Sequence, residues 1–137
     1  MSQENVELVR GLFTAAAGMD RQALLDALPT VIEHVCDPEI EWVEPGRVDG
    51  RVYRGHEGVL ESWQRWLDQW ADYDLEAERI VDCGDDVLVI FSERGRGASS
   101  GASVAARNFM VLTFRDGKVV RYREFYDEAA ALEAAGL

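Results

Sequence analysis

Near the start of the chain, apolar residues recur at the spacing of an amphipathic helix. A first helix is expected to end at Gly18. Asp20 can then cap a second helix by accepting a hydrogen bond from its first turn. Pro29 is expected to break this second helix, because proline has no N–H group to donate. The pattern therefore predicts short helices ahead of the first strand.

A short strand, a polar loop and an amphipathic helix follow one another between Glu39 and Trp70. Ile40 and Trp42 alternate with polar neighbours, and Pro45-Gly46 is expected to end this strand directly after Glu44. After the loop the period becomes helical, and one stripe carries three tryptophans, Trp63, Trp66 and Trp70. Because each such aromatic buries roughly 150 to 250 Å², the stripe must lie on a sheet or line a cavity.

The second half of the chain alternates apolar and polar residues, which predicts antiparallel strands. The alternation slips near Arg79 and Ile80, which indicates a bulge. Val87 to Phe91 is apolar at every position and predicts a strand covered on both faces. Asp116-Gly117 predicts a tight hairpin between the last two strands. The order is therefore helices, strand, helix and then four long strands.

Counting outwards from the hairpin turn assigns side chains to the two faces of the last strand pair. Arg107, Phe109, Tyr122, Glu124 and Tyr126 are expected to share one face. This face combines aromatic walls with a cation and a carboxylate. Such a combination is more typical of a ligand pocket than of a hydrophobic core.

Composition narrows the classes of function. The chain has 26 acidic and 14 basic residues and a net charge of -12, which disfavours nucleic acid and anionic membranes as partners. No apolar run approaches the ~18 residues of a membrane span. The 137 residues suit one domain over residues 1–137. Cys36 and Cys83 lie far apart in a chain that starts without signal-peptide features, which predicts free thiols and a cytoplasmic location.

Several segments resemble the SnoaL-like domain of the nuclear transport factor 2-like (ketosteroid isomerase-like) superfamily. They are SQENVELVRGLF, PEIEW, YRGHEG, FRDGKVVRYREFYD and ALEAAGL. The resemblance implies an α+β fold, a cone-shaped roll in which N-terminal helices pack on a curved, mostly antiparallel mixed sheet. It also implies a small-molecule pocket at the open end and a homodimer formed through the sheet. One such scaffold serves many reactions, so the resemblance specifies the fold more closely than the function.

Two relatives suggest site residues. In ketosteroid isomerase the catalytic base precedes a Pro-Val-Gly turn at the end of the first strand, and Glu44 stands in the similar place. Its oxyanion-hole donors have no counterpart, because they fall at about Ala16 and at Phe109 or Met110. Losing even one such donor typically costs ~100-fold or more in rate, so steroid isomerisation is not expected.

SnoaL-type cyclases use a histidine and an aspartate on the last strands. Their nearest equivalents here are Arg107 and Glu124.

The expected site combines these candidates. Glu44 or Glu124 moves a proton, and Arg107 holds a carboxylate or polarises a carbonyl. The expected walls are Trp42, His56, Trp63, Trp66, Phe109, Tyr122 and Tyr126. No metal or organic cofactor is implied. The alternative is a non-catalytic ligand-binding or dimerisation module with the same walls and unperturbed carboxylates. For single residues, the alternatives are that His56 shapes the start of a helix and that the tryptophans belong to the core.

Overall fold

The computed structural model of the protein describes residues 2–44 and 51–137. The helices are α1 (Ser2–Ala17), α2 (Arg21–Val35), α3 (Gly55–Leu67) and α4 (Glu128–Ala134). The strands are β1 (Cys36–Val43), β2 (Val52–Arg54), β3 (Trp70–Cys83), β4 (Asp86–Gly97), β5 (Ser103–Arg115) and β6 (Lys118–Phe125). The Pro45-Gly46 turn predicted after β1 lies outside the described residues. Within them, no helix is long and apolar enough to cross a membrane.

The strands form one sheet in the order β2-β1-β6-β5-β4-β3. β1 runs parallel to β6, and the other neighbouring pairs are antiparallel. The long strands β3 to β6 follow one another as a meander, and β1 closes against the last of them. The predicted α+β fold, with helices on a mixed and mostly antiparallel sheet, is confirmed.

The central strand β4 is covered on both faces, as its uninterrupted apolar run predicts. Val87, Val89 and Phe91 belong to the main core with residues of α1 and α2. Leu88 belongs to a second cluster on the other face, under Ala131 of α4. The chain therefore covers the outer face of β4 with its own C-terminal helix. A homodimer through the sheet stays a prediction, and the apolar run no longer requires one.

Helix α2 continues through Pro29, so the prediction that Pro29 breaks the helix is wrong. The Asp20 cap is confirmed, because its carboxylate accepts a hydrogen bond of 2.8 Å from the Ala23 backbone N–H. Proline removes one hydrogen bond within the helix, but Pro29 is exposed, whereas the turn that follows buries Ile32 and Val35. Burial of these two side chains outweighs the missing bond.

Helix α3 ends at Leu67, so Trp70 begins β3 and does not extend the tryptophan stripe. Its indole packs against Gly95 on β4. A Cβ atom at Gly95 would lie 2.7 Å from Cε3 of Trp70, so the indole fits only because residue 95 has no side chain. The space that this glycine leaves, rather than helical periodicity, decides where Trp70 lies.

The β5–β6 hairpin has the predicted turn but not the predicted register. Asp116 and Gly117 have φ values of 53° and 77°, and Arg115 pairs with Lys118. Phe114 then pairs with Val119 and Thr113 with Arg121, so β6 carries one extra residue, Val120, at a bulge.

Beyond this bulge the expected face assignment is wrong. Met110 lies opposite Glu124, and Phe109 lies opposite Phe125. A shift of one residue exchanges the two faces of a strand. Arg107 and Phe109 therefore leave the face that carries Tyr122 and Glu124. A second bulge, between Ala77 and Arg79 on β3, lies where the sequence predicts one.

Candidate functional site

A cavity of about 350 Å³ lies between α3 and the helix-covered face of the sheet, and we call it the main cavity. Its walls are largely aromatic: Trp42, Tyr53, Trp63, Trp66, Tyr73, Phe91, Tyr122 and Tyr126. Its charged and amide side chains are Glu44, Arg51, Arg65, Gln69, Glu93, Asn108 and Glu124. Aromatic walls with a few convergent polar groups are typical of a small-molecule site.

The aromatic wall is continuous from the sheet to α3. Trp42 of β1 is in register with Tyr122 of β6 across the parallel pair, and their rings stack with centroids 3.6 Å apart at an angle of 10°. Trp63 of α3 meets Trp42 in a tilted contact with centroids 6.4 Å apart. These rings fix one another by packing. The wall is therefore held in place by contacts among its own rings.

Glu93 is held by two donors from the neighbouring strands. The Tyr73 hydroxyl donates to Oε1 at 2.5 Å, and Asn108 Nδ2 donates to Oε2 at 2.6 Å. Burial, followed by the charge of Glu93, raises the pKa of Tyr73, so the phenol keeps its proton. Both carboxylate oxygens of Glu93 are thus occupied, and its orientation is fixed.

Glu124 is the carboxyl group most strongly perturbed by its surroundings. Its pKa is raised to about 8, first by burial and then by the neighbouring carboxylates of Glu93 and Glu44. Near neutral pH this side chain is therefore mostly protonated, and a modest change in its environment ionises it. A group with this pKa can either donate or accept a proton at physiological pH.

Glu44 follows the end of β1 at the border of the main cavity. The Ser62 hydroxyl of α3 donates to its Oε1 over a long 3.4 Å. The phenol of Tyr53 has a raised pKa, chiefly through burial and secondly through the charge of Glu44. Glu44 therefore lies at the cavity, as expected from its position at a strand end, on the α3 side.

The matching family model describes a SnoaL-like domain and covers residues 9–122. The chain belongs to the SnoaL-like domain family. Comparison with curated proteins gives no significant match. Among solved structures, this SnoaL-like domain is similar to a putative SnoaL-like polyketide cyclase from Jannaschia sp. CCS1. The two share 21% identity and a TM-score of 0.77 over 98% of this chain and 92% of the other.

Two further solved structures have the same fold. One is a nuclear transport factor 2-like protein from Burkholderia xenovorans LB400, with 27% identity and a TM-score of 0.69 over 98% of this chain and 97% of the other. The other is TerC co-crystallised with polyporic acid, with 22% identity and a TM-score of 0.69 over 98% of this chain and 99% of the other. Over nearly its whole length, the SnoaL-like domain therefore has the fold of these proteins.

Three residues expected at the site lie elsewhere. Arg107 is exposed on the other face and donates to both carboxylate oxygens of Glu78, at 2.6 and 3.1 Å. Phe109 is buried in the cluster beneath α4. His56 donates from Nε2 to the Cys36 carbonyl oxygen at 2.8 Å and so joins the start of α3 to β1. The bulge at Val120 explains the positions of Arg107 and Phe109. His56 fits the alternative interpretation, in which it shapes the start of a helix.

The remaining expected residues border the main cavity. They are Trp42, Glu44, Trp63, Trp66, Tyr122, Glu124 and Tyr126. In place of Arg107, the cations at this cavity are the exposed Arg51 and Arg65. Among the described residues, His, Cys, Asp and Glu side chains form no group of three suited to a metal ion.

Sequence reasoning missed Glu93 and its donors Tyr73 and Asn108. A signal was present, because Glu93 continues the every-second-residue series of Val89 and Phe91 towards the strand end. The apolar run from Val87 to Phe91 has no polar face, so the sequence did not show which side of β4 faces the helices. The packing of Val89 and Phe91 with residues of α1 and α2 decides it.

Proposed function

We propose that this SnoaL-like domain binds a small, largely apolar molecule with a carbonyl group or a carboxylate, and that Glu124 transfers a proton to or from it. The reaction would be a cyclisation, isomerisation or hydrolysis that uses no cofactor. The observation that carries the proposal is the position of the Glu124 carboxyl, which lies inside an aromatic cavity near the carboxylates of Glu93 and Glu44, where burial and their charges raise its pKa. The names of the similar cyclase and of the polyporic acid complex support a ligand of this kind.

The arrangement assigns different roles to the carboxyl groups. Glu93 is fixed by two hydrogen bonds, and its charge helps to keep the proton on Glu124. Protonated Glu124 would donate to a carbonyl oxygen, and its ionised form would remove a proton from the adjacent carbon. Glu44 is the second candidate base. Arg51 or Arg65 would hold a carboxylate of the ligand, the role first expected of Arg107.

Exchange of carbon-bound hydrogen in simple ketones tests proton transfer directly. In D₂O, NMR would follow deuterium entering the carbon next to the carbonyl of 2-hexanone in the presence of the protein. We expect exchange with the parent and a loss of about 100-fold or more in Glu124→Gln, as is typical for a general acid or base. Glu76→Gln, an exposed carboxylate on the same sheet, is the matched control and should exchange as fast as the parent.

The alternative, a non-catalytic binding module, predicts another result. Ketones would bind with the same affinity to the parent and to Glu124→Gln, and neither protein would promote exchange. Equal exchange in the parent and in both Glu124→Gln and Glu44→Gln would also reject the proposed roles.

The proposal includes a cytoplasmic homodimer. Two free cysteines suit a reducing compartment, and family likeness supports association through the sheet. Light scattering at micromolar concentration should give twice the chain mass of 15.3 kDa. A monomer mass would remove the dimer without affecting the proton-transfer proposal.

A further inference from the structure

A second space of about 190 Å³ lies between α1, α2 and the sheet, and we call it the rear cavity. Its walls include Phe13 of α1, Leu28 of α2 and Leu112 of β5. Among the described residues that line it, none carries a charge. The space is partly open at the surface and is lined almost wholly by apolar side chains. Such a concave apolar space is a candidate site for the apolar part of a ligand.

The two cavities share walls. Trp42, Trp63, Leu75, Met110 and Tyr122 border both of them. The stacked pair of Trp42 and Tyr122 is rigid, whereas Met110 has three rotatable bonds and adapts readily to a neighbour. Trp63 is half-buried and packs against Trp42. Rotation of Met110 would join the apolar space to the cavity that contains Glu124.

We infer that the two cavities form one binding site for an amphipathic ligand. Its carbonyl or carboxylate end lies in the main cavity beside Glu124, and an apolar chain or ring extends past Met110 into the rear cavity. The inference rests on the proposed function and adds to it the shape and polarity of the substrate. An apolar cavity of about 150 Å³ is large enough to accept benzene. The rear cavity, at about 190 Å³, is large enough for six or so carbons.

A series of methyl ketones tests this inference. Isothermal titration calorimetry would measure the Kd of 2-butanone to 2-decanone. Each added methylene that enters the rear cavity should lower Kd about fourfold until the space is full. Beyond that length, affinity should stop rising.

Variants that fill the rear cavity provide the second arm. Ala16→Phe on α1 and Ala27→Phe on α2 each place a ring from one wall, and both sites are half-exposed, so the fold can accommodate the change. In either variant, Kd should no longer fall as the ketone chain lengthens, and the Kd of 2-butanone should be unchanged. Ala17 lies next to Ala16 but is exposed and is not part of the wall. Ala17→Phe should therefore show the same dependence of Kd on chain length as the parent.

The inference would be overturned if Kd in the parent did not depend on chain length, or if no ketone bound. It would also be overturned if both filled variants showed the same dependence of Kd on chain length as the parent. The same titrations separate it from the proposed function. Short ketones whose exchange depends on Glu124, together with a flat series, would retain the function and reject the rear cavity. If Kd falls steeply with chain length but exchange does not depend on Glu124, the result would retain the rear cavity and reject the proposed function.

Discussion

Met110 lies directly opposite Glu124 across the β5–β6 pair, and both side chains border the main cavity. Counting from the turn places Phe109 there instead. One extra residue in β6, Val120, makes the difference. With this extra residue, Glu124 lies beside the apolar Met110 and near Glu93, which is hydrogen-bonded to Tyr73 and Asn108. In the expected register, Arg107 would have been the counter-charge of Glu124.

The raised pKa of Glu124 predicts how stability depends on pH. Between its ordinary value of 4.5 and about 8, the native carboxyl keeps a proton that the unfolded chain releases. Stability from this group is therefore present below pH 4.5 and declines as pH rises to about 8, by at most about 5 kcal/mol. Urea unfolding should show Glu124→Gln close to the parent at pH 5 and clearly more stable at pH 9. A difference between the two proteins that is the same at both pH values would contradict the burial of this carboxyl.

Glu93→Gln should lower the pKa of Glu124, because it removes the negative charge that, after burial, raises this pKa most. Glu44→Gln should lower this pKa less. Carboxyl ¹³C chemical shifts of Glu124 across a pH titration would measure both effects. If Glu93→Gln left the titration midpoint unchanged, the two side chains would not be electrostatically coupled.

Gly95→Ala should destabilise the fold by roughly 1 to 3 kcal/mol, a typical cost of overpacking. The added methyl would meet the Trp70 indole at 2.7 Å and the Asp72 carbonyl oxygen at 2.9 Å. Gly11→Ala is the matched control, since it lies in α1 with nothing within 4 Å. It should stabilise the protein by about 0.5 to 1 kcal/mol, because alanine favours helix more than glycine. Thermal unfolding of both variants measures the contrast, and a neutral Gly95→Ala would show that Trp70 packs differently.

Removing Arg107 should leave ligand affinity unchanged, because its guanidinium is paired with Glu78 on the face away from the main cavity. Arg51→Ala or Arg65→Ala, whichever removes the arginine that holds the ligand carboxylate, should weaken binding of 2-oxooctanoate about tenfold, as is typical of a lost charged hydrogen bond. Calorimetry on the three variants compares them directly. A large loss in Arg107→Ala alone would restore the role that the sequence suggested for it.

The sequence by itself determined the features that depend on near neighbours. The Asp20 cap, the Asp116-Gly117 turn and the bulge near Arg79 each depend on a few adjacent residues. The resemblance carried by segments along nearly the whole chain also led to the fold class, which the sheet order confirms.

Only the tertiary structure decided which side chains meet. The register of a strand pair depends on single residues such as Val120. The alternating pattern of β6 does not show that Val120 is an extra residue. Pro29 stays in a helix because distant core residues bury the turn after it. The pKa of Glu124 follows from burial and from carboxylates that other strands bring near. These are long-range effects, and their energies arise only when separate segments pack together.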